Sequence, residues 1–432
     1  MRKQEYPRIG EAVYYTKLGN GLPVYVDRKP GFQKSYAFFA TNYGGMDMKF
    51  KLDGTWHDTP AGVAHFLEHK MFDTEDGNAL QDLAANGASP NAFTSTAITG
   101  YYFESTRKFE ENLKILLSFV SIPWFTQESV DKEQGIIGQE IQMIEDDPEW
   151  QAYMNLLAGL YRNHPSRVPV AGSRASISLI TADTLYACHK AFYCPANMVL
   201  CVAGDVDPDL VCRIAGEILP GEGGSPIQRD YGAPEDEGAA DSLRTLEMEV
   251  STSIFQLGFK AEPVPNGEER LRRQLLGELC LEVLLGRSSP LYARLYGGGL
   301  INSSFGYGYE DCPGCAYLTA GGESRDPEKV RDAVLEEAGR LTREGIDEGL
   351  WRRLKKAAYG NKVRELNSFE HICIQMAQSH FAGVEYLRFP ELFDGIGRED
   401  AADCLSRWIT EPRFSLAVIR PRTDGGKTGG VV

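Results

Sequence analysis

The sequence predicts an α+β protein of two homologous domains, each a mainly antiparallel sheet with helices packed on one face. Three observations carry this. The stretch from Leu219 to Ser242 is rich in Gly, Pro and acidic residues and poor in apolar ones, which is linker composition, and it divides the chain into similar lengths. The two halves share an order of parts: an early strand region, a helix, a small-residue strand, several helices and a closing strand. Short segments also correspond, Tyr101–Ser105 with Thr319–Ser324 and the closing strands within Asn197–Pro208 and Arg413–Gly426. The pattern is that of an internal duplication, with expected boundaries of 1–220, a linker over 221–243, and 244–432.

Composition sets outer bounds. With 432 residues, 42% hydrophobic and 25% charged, the chain is long enough for two or more globular domains. No apolar run approaches the roughly 18–20 residues of a membrane span, and the opening MRKQEYPRIG has no signal-peptide core, so the expectation is a cytoplasmic protein with no membrane partner. Nine cysteines, an odd number scattered through apolar stretches such as those of Cys188, Cys194, Cys201 and Cys212, fit reduced core thiols better than a disulfide framework. Cys312-Pro313-Gly314-Cys315 stands apart and is expected to be a turn carrying two thiols. A net charge of −16 argues against nucleic acid, whose phosphates demand basic surface. It suits the steering of cationic substrates toward an acidic cavity.

The first element with chemistry is GVAHFLEHKMF, Gly62 to Phe72. Asp58 is a candidate N-cap and Pro60 suits a first helical turn, so a helix is expected from about Pro60. His65 and His69, four apart, then lie on one helical face, where they can bind one ion together, and Glu68 points the same way. Val63, Phe66, Leu67 and Phe72 supply the apolar contacts. Two neutral imidazoles suit Zn²⁺, which in catalytic sites takes three protein ligands and leaves a fourth position to water. The glutamate suits a general base that takes that water's proton. The spacing is the reversed form of the His-Glu-x-x-His zinc-peptidase pattern.

Next, Gly87 to Ser105 alternates small, polar and β-branched residues with aromatics and reads as a strand. Ser129 to Trp150 follows with a helical period in Val130, Ile136, Ile137, Ile141 and Ile144, and Thr126 can cap it. A long helix is expected, with Glu133 and Glu140 two turns apart on one face. Gly135 and Gly138 on it are expected to mark a tight approach to the first helix.

With these parts the chain resembles the pitrilysin/insulysin family of zinc peptidases. Members carry the inverted motif and, about seventy residues later, two glutamates seven apart; here Glu140 falls 71 residues after His69, and Glu133 seven before it. The resemblance implies Glu140 as third zinc ligand beside His65 and His69. Glu68 would be the base and Glu133 an accessory carboxylate that helps set the charge and orientation of the attacking water. It also implies that Asn91, Ala92, Phe93 and Thr94 form an edge strand to which substrate backbone adds as a further strand.

The second half has no such motif. Its matching region, Leu279 to Phe305, offers no metal ligands. Family members often carry there an Arg and, seven residues on, a Tyr that reach the substrate. Here Tyr296 stands where the arginine is expected and Asn302 or Ser303 where the tyrosine is expected, while Arg294 is followed seven residues on by Ile301. The resemblance therefore implies a zinc endopeptidase for short or unfolded peptides within a closed chamber, completed by a homologous partner chain in a heterodimer, with a homodimer as the alternative. The rival expectations are a non-catalytic scaffold subunit of the same fold and a protein whose zinc is structural.

Overall fold

The structure, a computed structural model, describes residues 1–219, 221, 223–224 and 227–422. Parts of the expected linker, and the end of the expected closing segment beyond Arg422, lie outside the described residues.

Seven strands build the first sheet: β1 (Arg2–Tyr6), β2 (Glu11–Lys17), β3 (Pro23–Arg28), β4 (Ser35–Thr41), β5 (Ala88–Thr94), β6 (Thr99–Ser105) and β7 (Met198–Gly204). Their order is β1-β2-β3-β7-β4-β6-β5, which leaves β5 on an edge. The stretch read as one strand from Gly87 to Ser105 is thus a hairpin. Its reversal over Ser95–Ile98 carries none of the usual Gly, Pro or Asn signals; the Ser95 side chain bonds to Ile98 instead.

The second sheet comprises β8 (Leu243–Met248), β9 (Ile254–Ala261), β10 (Gly306–Cys312), β11 (Cys315–Glu323) and β12 (Phe414–Pro421), in the order β8-β12-β9-β11-β10. This repeats β3-β7-β4-β6-β5 strand for strand. Each half has one parallel pair, β3 with β7 and β8 with β12, and the remaining neighbours in both series are antiparallel. The fold is α+β with two like domains.

The domains exchange cover. Helix α1 (Val63–Met71) and α2 (Gln127–Glu145) belong to the first half, and so does α3 (Pro148–Leu160), yet α3 packs on β9 and β12 of the second sheet. A Cβ on Gly258 of β9 would lie 2.8 Å from Leu156, so glycine lets that helix sit close. Reciprocally, α4 (Phe369–Phe381) of the second half packs on β4 and β7. Both faces of the first sheet are therefore covered: Ala37 and Phe39 join the first half's own core, while Tyr36, Phe38 and Ala40 join a core built mainly from second-half residues. This explains why β4 (SYAFFAT) and β7 (MVLCVAG) are buried at every position and nearly unbroken in apolar character.

Candidate metal centre

Helix α1 starts later than its capping signals suggest. Asp58 ends a short strand, Thr55–Asp58, paired with Lys49–Leu52, and the helix begins at Val63 after Gly62, whose φ is 99°. A Cβ there would come within 2.7 Å of the Ala171 carbonyl oxygen, so the chain turns in a space only glycine fits. Val63, Phe66, Leu67 and Met71 are buried and fix the helix, leaving His65 and His69 on the opposite side with ring centroids 4.7 Å apart.

Helix α2 is capped as expected. Thr126 Oγ1 accepts from the Ser129 amide at 3.1 Å, and Ser129 Oγ accepts from the Thr126 amide at 3.4 Å. It ends at Glu145 rather than running to Trp150. Asp147 accepts from the Glu149 amide and opens α3, with Pro148 in its first turn. Ile136, expected on the apolar face, is exposed. Gly135 and Gly138 do not mark a close approach either, because a Cβ on either would meet nothing within 4 Å.

Three side chains converge between α1 and α2. His65 Nε2 lies 3.4 Å from Glu140 Oε1, and His69 Nε2 lies 3.5 Å from Glu140 Oε2. One donor atom from each residue falls within 4.8 Å of the others. Glu133 stands one layer back, 3.1 Å from His69 Nδ1 and 3.8 Å from Lys70 Nζ, so it touches the imidazole rather than the open side of the cluster. The other Lys70 partner is Asp73, and this lysine is almost wholly buried.

The residues present fit a divalent cation. Two imidazole nitrogens point at the Glu140 carboxylate, Glu68 lies beside both rings, and the one ammonium nearby, that of Lys70, is taken up by Asp73 and Glu133. Glu133 holds Nδ1 of His69 in the manner of a partner that directs Nε2 toward an ion. His65 Nδ1 is buried with no hydrogen-bond partner among the described residues.

Glu68 is mostly buried and accepts from Thr94 Oγ1 at 2.6 Å. Burial pushes its carboxyl up, against the downward pull of that hydrogen bond and of His65 and His69. Glu140 moves the opposite way, held below the usual carboxylate range by the hydrogen bond from His65, which outweighs burial. His69 is raised: burial alone would lower it, but the bond to Glu133 and the charges of Glu140 and Glu68 prevail.

The β5 segment lies alongside. Its outer edge has no strand neighbour among the described residues, and the Ala92 amide is occupied by the Asn91 side chain at 2.8 Å. Phe93 stacks on Phe38 with centroids 5.8 Å apart, so one face of its partly buried ring packs against the core. The Thr94 hydroxyl is committed to Glu68. Sequence reasoning missed that hydrogen bond, the buried Lys70, and a cavity of about 360 Å³ beside His65 lined by Ile141, Ile144, Trp150, Met154 and Val170. The helical period of Ile141 and Ile144 was the available signal for that lining.

Residues 53–174 match the model of the insulinase family, peptidase family M16, and residues 179–358 match that of the M16 inactive domain, in keeping with a second half that lacks the histidine motif. Over 97% of its length the chain is 36% identical to a Bacillus subtilis protein, YmfH, named an uncharacterized zinc protease, and covers 99% of it. Among solved structures, an M16-like peptidase from Alicyclobacillus acidocaldarius superposes with a TM-score of 0.90 at 29% identity, covering 95% of this chain and 98% of that one. A Helicobacter pylori protease shares the fold at 16% identity, with a TM-score of 0.82 over 95% of this chain and 100% of that one. The chain belongs to peptidase family M16, the insulinase family.

Proposed function

We propose that the protein is a zinc-dependent endopeptidase acting on short or unfolded peptides. The observation that carries this reading is the convergence of His65, His69 and Glu140, with Glu68 held beside them by Thr94. These three residues would hold the zinc, which when bound supplies Lewis acidity to the scissile carbonyl. Glu68 takes the proton of the attacking water and returns one to the leaving amine; a carboxyl raised by burial is suited to both acts. Glu133 fixes the tautomer of His69 and so acts through it. A peptide pairs with the free edge of β5 at Asn91–Thr94, displacing the Asn91 side chain from the Ala92 amide. The apolar cavity beside His65 takes one substrate side chain, a preference that the overall acidic charge did not suggest.

The same reading includes a homologous partner chain. Arg294 pairs with Glu337 at 3.2 Å and Asn302 donates to Glu323 at 2.6 Å, so both side chains already have partners within the chain. A partner without the zinc motif would supply the missing Arg and Tyr. The cytoplasm is the proposed compartment, supported by free thiols at all nine cysteines and by the lack, among the described residues, of any helix long and apolar enough to cross a membrane.

The test is to purify the chain alone, measure bound zinc, and assay an unstructured peptide with and without a homologue lacking the motif. One zinc per chain, weak activity alone and strong activity on mixing are expected. Vigorous hydrolysis by the lone chain would refute the partner requirement. Zinc binding with no hydrolysis in any pairing would favour the scaffold reading, for which the inactive-domain match of the second half is the supporting observation.

A further inference from the structure

At the seam between the halves, β10 and β11 join through Cys312-Pro313-Gly314-Cys315. Cys312 and Cys315 face each other directly across the ladder, with Gly314 at φ 87° completing the turn. Their sulfurs lie 2.6 Å apart. Against this turn sits His164, a residue of the other half and only 4% exposed. Its Nε2 donates to the Pro313 carbonyl at 2.9 Å, and its Nδ1 is 2.9 Å from Ser166 Oγ and 3.2 Å from the Ser166 amide. The ring lies so near the turn that a Cβ on Gly314 would be 2.9 Å from Nε2. Donor atoms of His164, Cys312 and Cys315 all fall within 4.8 Å of one another.

Access is uneven. Cys315 is fully buried, whereas Cys312 is half-buried and, with Ser166, lines a cavity of about 520 Å³ between the two halves. No other cysteine lines that cavity. Cys280 and Cys404 also adjoin each other, but both are buried away from it.

We propose that Cys312 and Cys315 form a thiol–disulfide exchange site that reacts with small disulfides entering through this cavity, with His164 as the proton acceptor. Proton placement supports the geometry: the hydrogen bond from Cys312, joined by His164 and Ser166, outweighs burial and holds Cys315 down at about 5, while Cys312 is pushed up. Burial lowers His164, but its contact with Cys315 prevails and raises it.

The reaction balances in two exchanges. Cys315 is the resting thiolate and Cys312 carries the shared proton; as the Cys312 sulfur attacks a small disulfide RSSR, His164 takes that proton at Nδ1, which otherwise accepts from Ser166. The S–S bond of RSSR breaks, Cys312–S–SR forms, and RS⁻ leaves. The Cys315 thiolate then attacks Cys312 Sγ, expelling a second RS⁻. The two thiolates pick up the two protons the protein has given up. In sum, two protein thiols are oxidised to one disulfide and RSSR is reduced to two RSH. The two sulfurs are already adjacent across the turn, so closure needs no backbone rearrangement.

The reduced full-length protein is equilibrated with oxidised and reduced glutathione, quenched with iodoacetamide and mapped by mass spectrometry. The expected result is reversible loss of 2 Da confined to the peptide carrying Cys312 and Cys315, with Cys280 and Cys404 still reduced. His164→Gln should slow alkylation and exchange of the pair at neutral pH by tenfold or more and move the pH profile upward. Ser166→Ala, which retains the imidazole, should move it less, and circular dichroism checks that both variants fold. Oxidation of Cys312 and Cys315 only in step with Cys280 and Cys404, or rates and pH profiles unchanged in both variants, would overturn the proposal. A second equivalent of zinc on the reduced protein, lost in Cys312→Ser and shielding both thiols from alkylation, would also overturn it and assign a metal site instead.

Discussion

Glu68 and Glu133 are both carboxylates beside the same histidine pair, yet their surroundings suit them to different work in the proposed site. Glu68, buried and held by Thr94, is outside the set of converging donor atoms and is the proposed base, so Glu68→Gln should keep one zinc per chain and lower turnover by about 10²–10⁴-fold. Metal analysis together with a peptide assay checks this, and retained turnover removes Glu68 from the role of base. In the proposed site Glu133, 3.1 Å from His69 Nδ1, acts through His69. In the metal-free protein His69 is raised above its ordinary 6.5, so stability from its bound proton is fully present below that value and is lost as pH rises through the raised one. Zinc needs the neutral ring, and its affinity should climb over that same window. Glu133→Gln removes the charge from that hydrogen-bond partner, which should shift the climb to lower pH and weaken binding on its plateau by about 10–100-fold. Zinc titrations against a competing chelator between pH 6 and 8 test both directions, and an unchanged pH dependence would deny Glu133 its hold on His69.

At the scale of elements, two glycines make opposite predictions. Gly62 sits at φ 99° against the Ala171 carbonyl, and Gly62→Ala should cost about 1–3 kcal/mol and misplace the start of α1. Gly135 is an exposed helical residue with open space where a methyl would go, so Gly135→Ala should add about 0.5–1 kcal/mol. Denaturant melts of the two variants separate these, and a Gly135→Ala protein less stable than the parent would mean that the helix is pressed there after all. The same residues show what local sequence could carry. The His65–His69 spacing places both rings on one face because the helical period does so wherever the helix begins, whereas Glu140 entered only through the family resemblance. The true start of α1 was masked because Asp58 and Pro60 imitate a cap while the constraint at Gly62 comes from Ala171, more than a hundred residues away. The β5–β6 reversal was masked because a serine side chain closes it. Cys312–Cys315 was legible as a turn, but its relation to His164 joins residues of different halves and leaves no local trace.

For the whole molecule, duplication was visible in the order of parts, but the exchange of helices was not, since periodicity shows which face of α3 is apolar and not which sheet receives it. That exchange has a consequence for folding. Without the second half, Tyr36, Phe38, Ala40, Val199, Cys201 and Ala203 lose the cover of α4, while Leu156, Leu157 and Leu160 of α3 lose β9 and β12. An exposed apolar face on a central sheet favours aggregation, and a partial core does not fold in proportion to its size, because unfolding of packed units is cooperative. A fragment ending in the linker should therefore lack a sharp thermal transition and should recover one when the complementary fragment is refolded with it. Near-UV circular dichroism and size-exclusion chromatography report both. A first half that stays monomeric and melts cooperatively by itself would show that each sheet can stand without its borrowed helix. The candidate metal face on α1 and α2 would then be independent of the second domain; if the fragment fails as expected, zinc binding should return only with the reassembled pair.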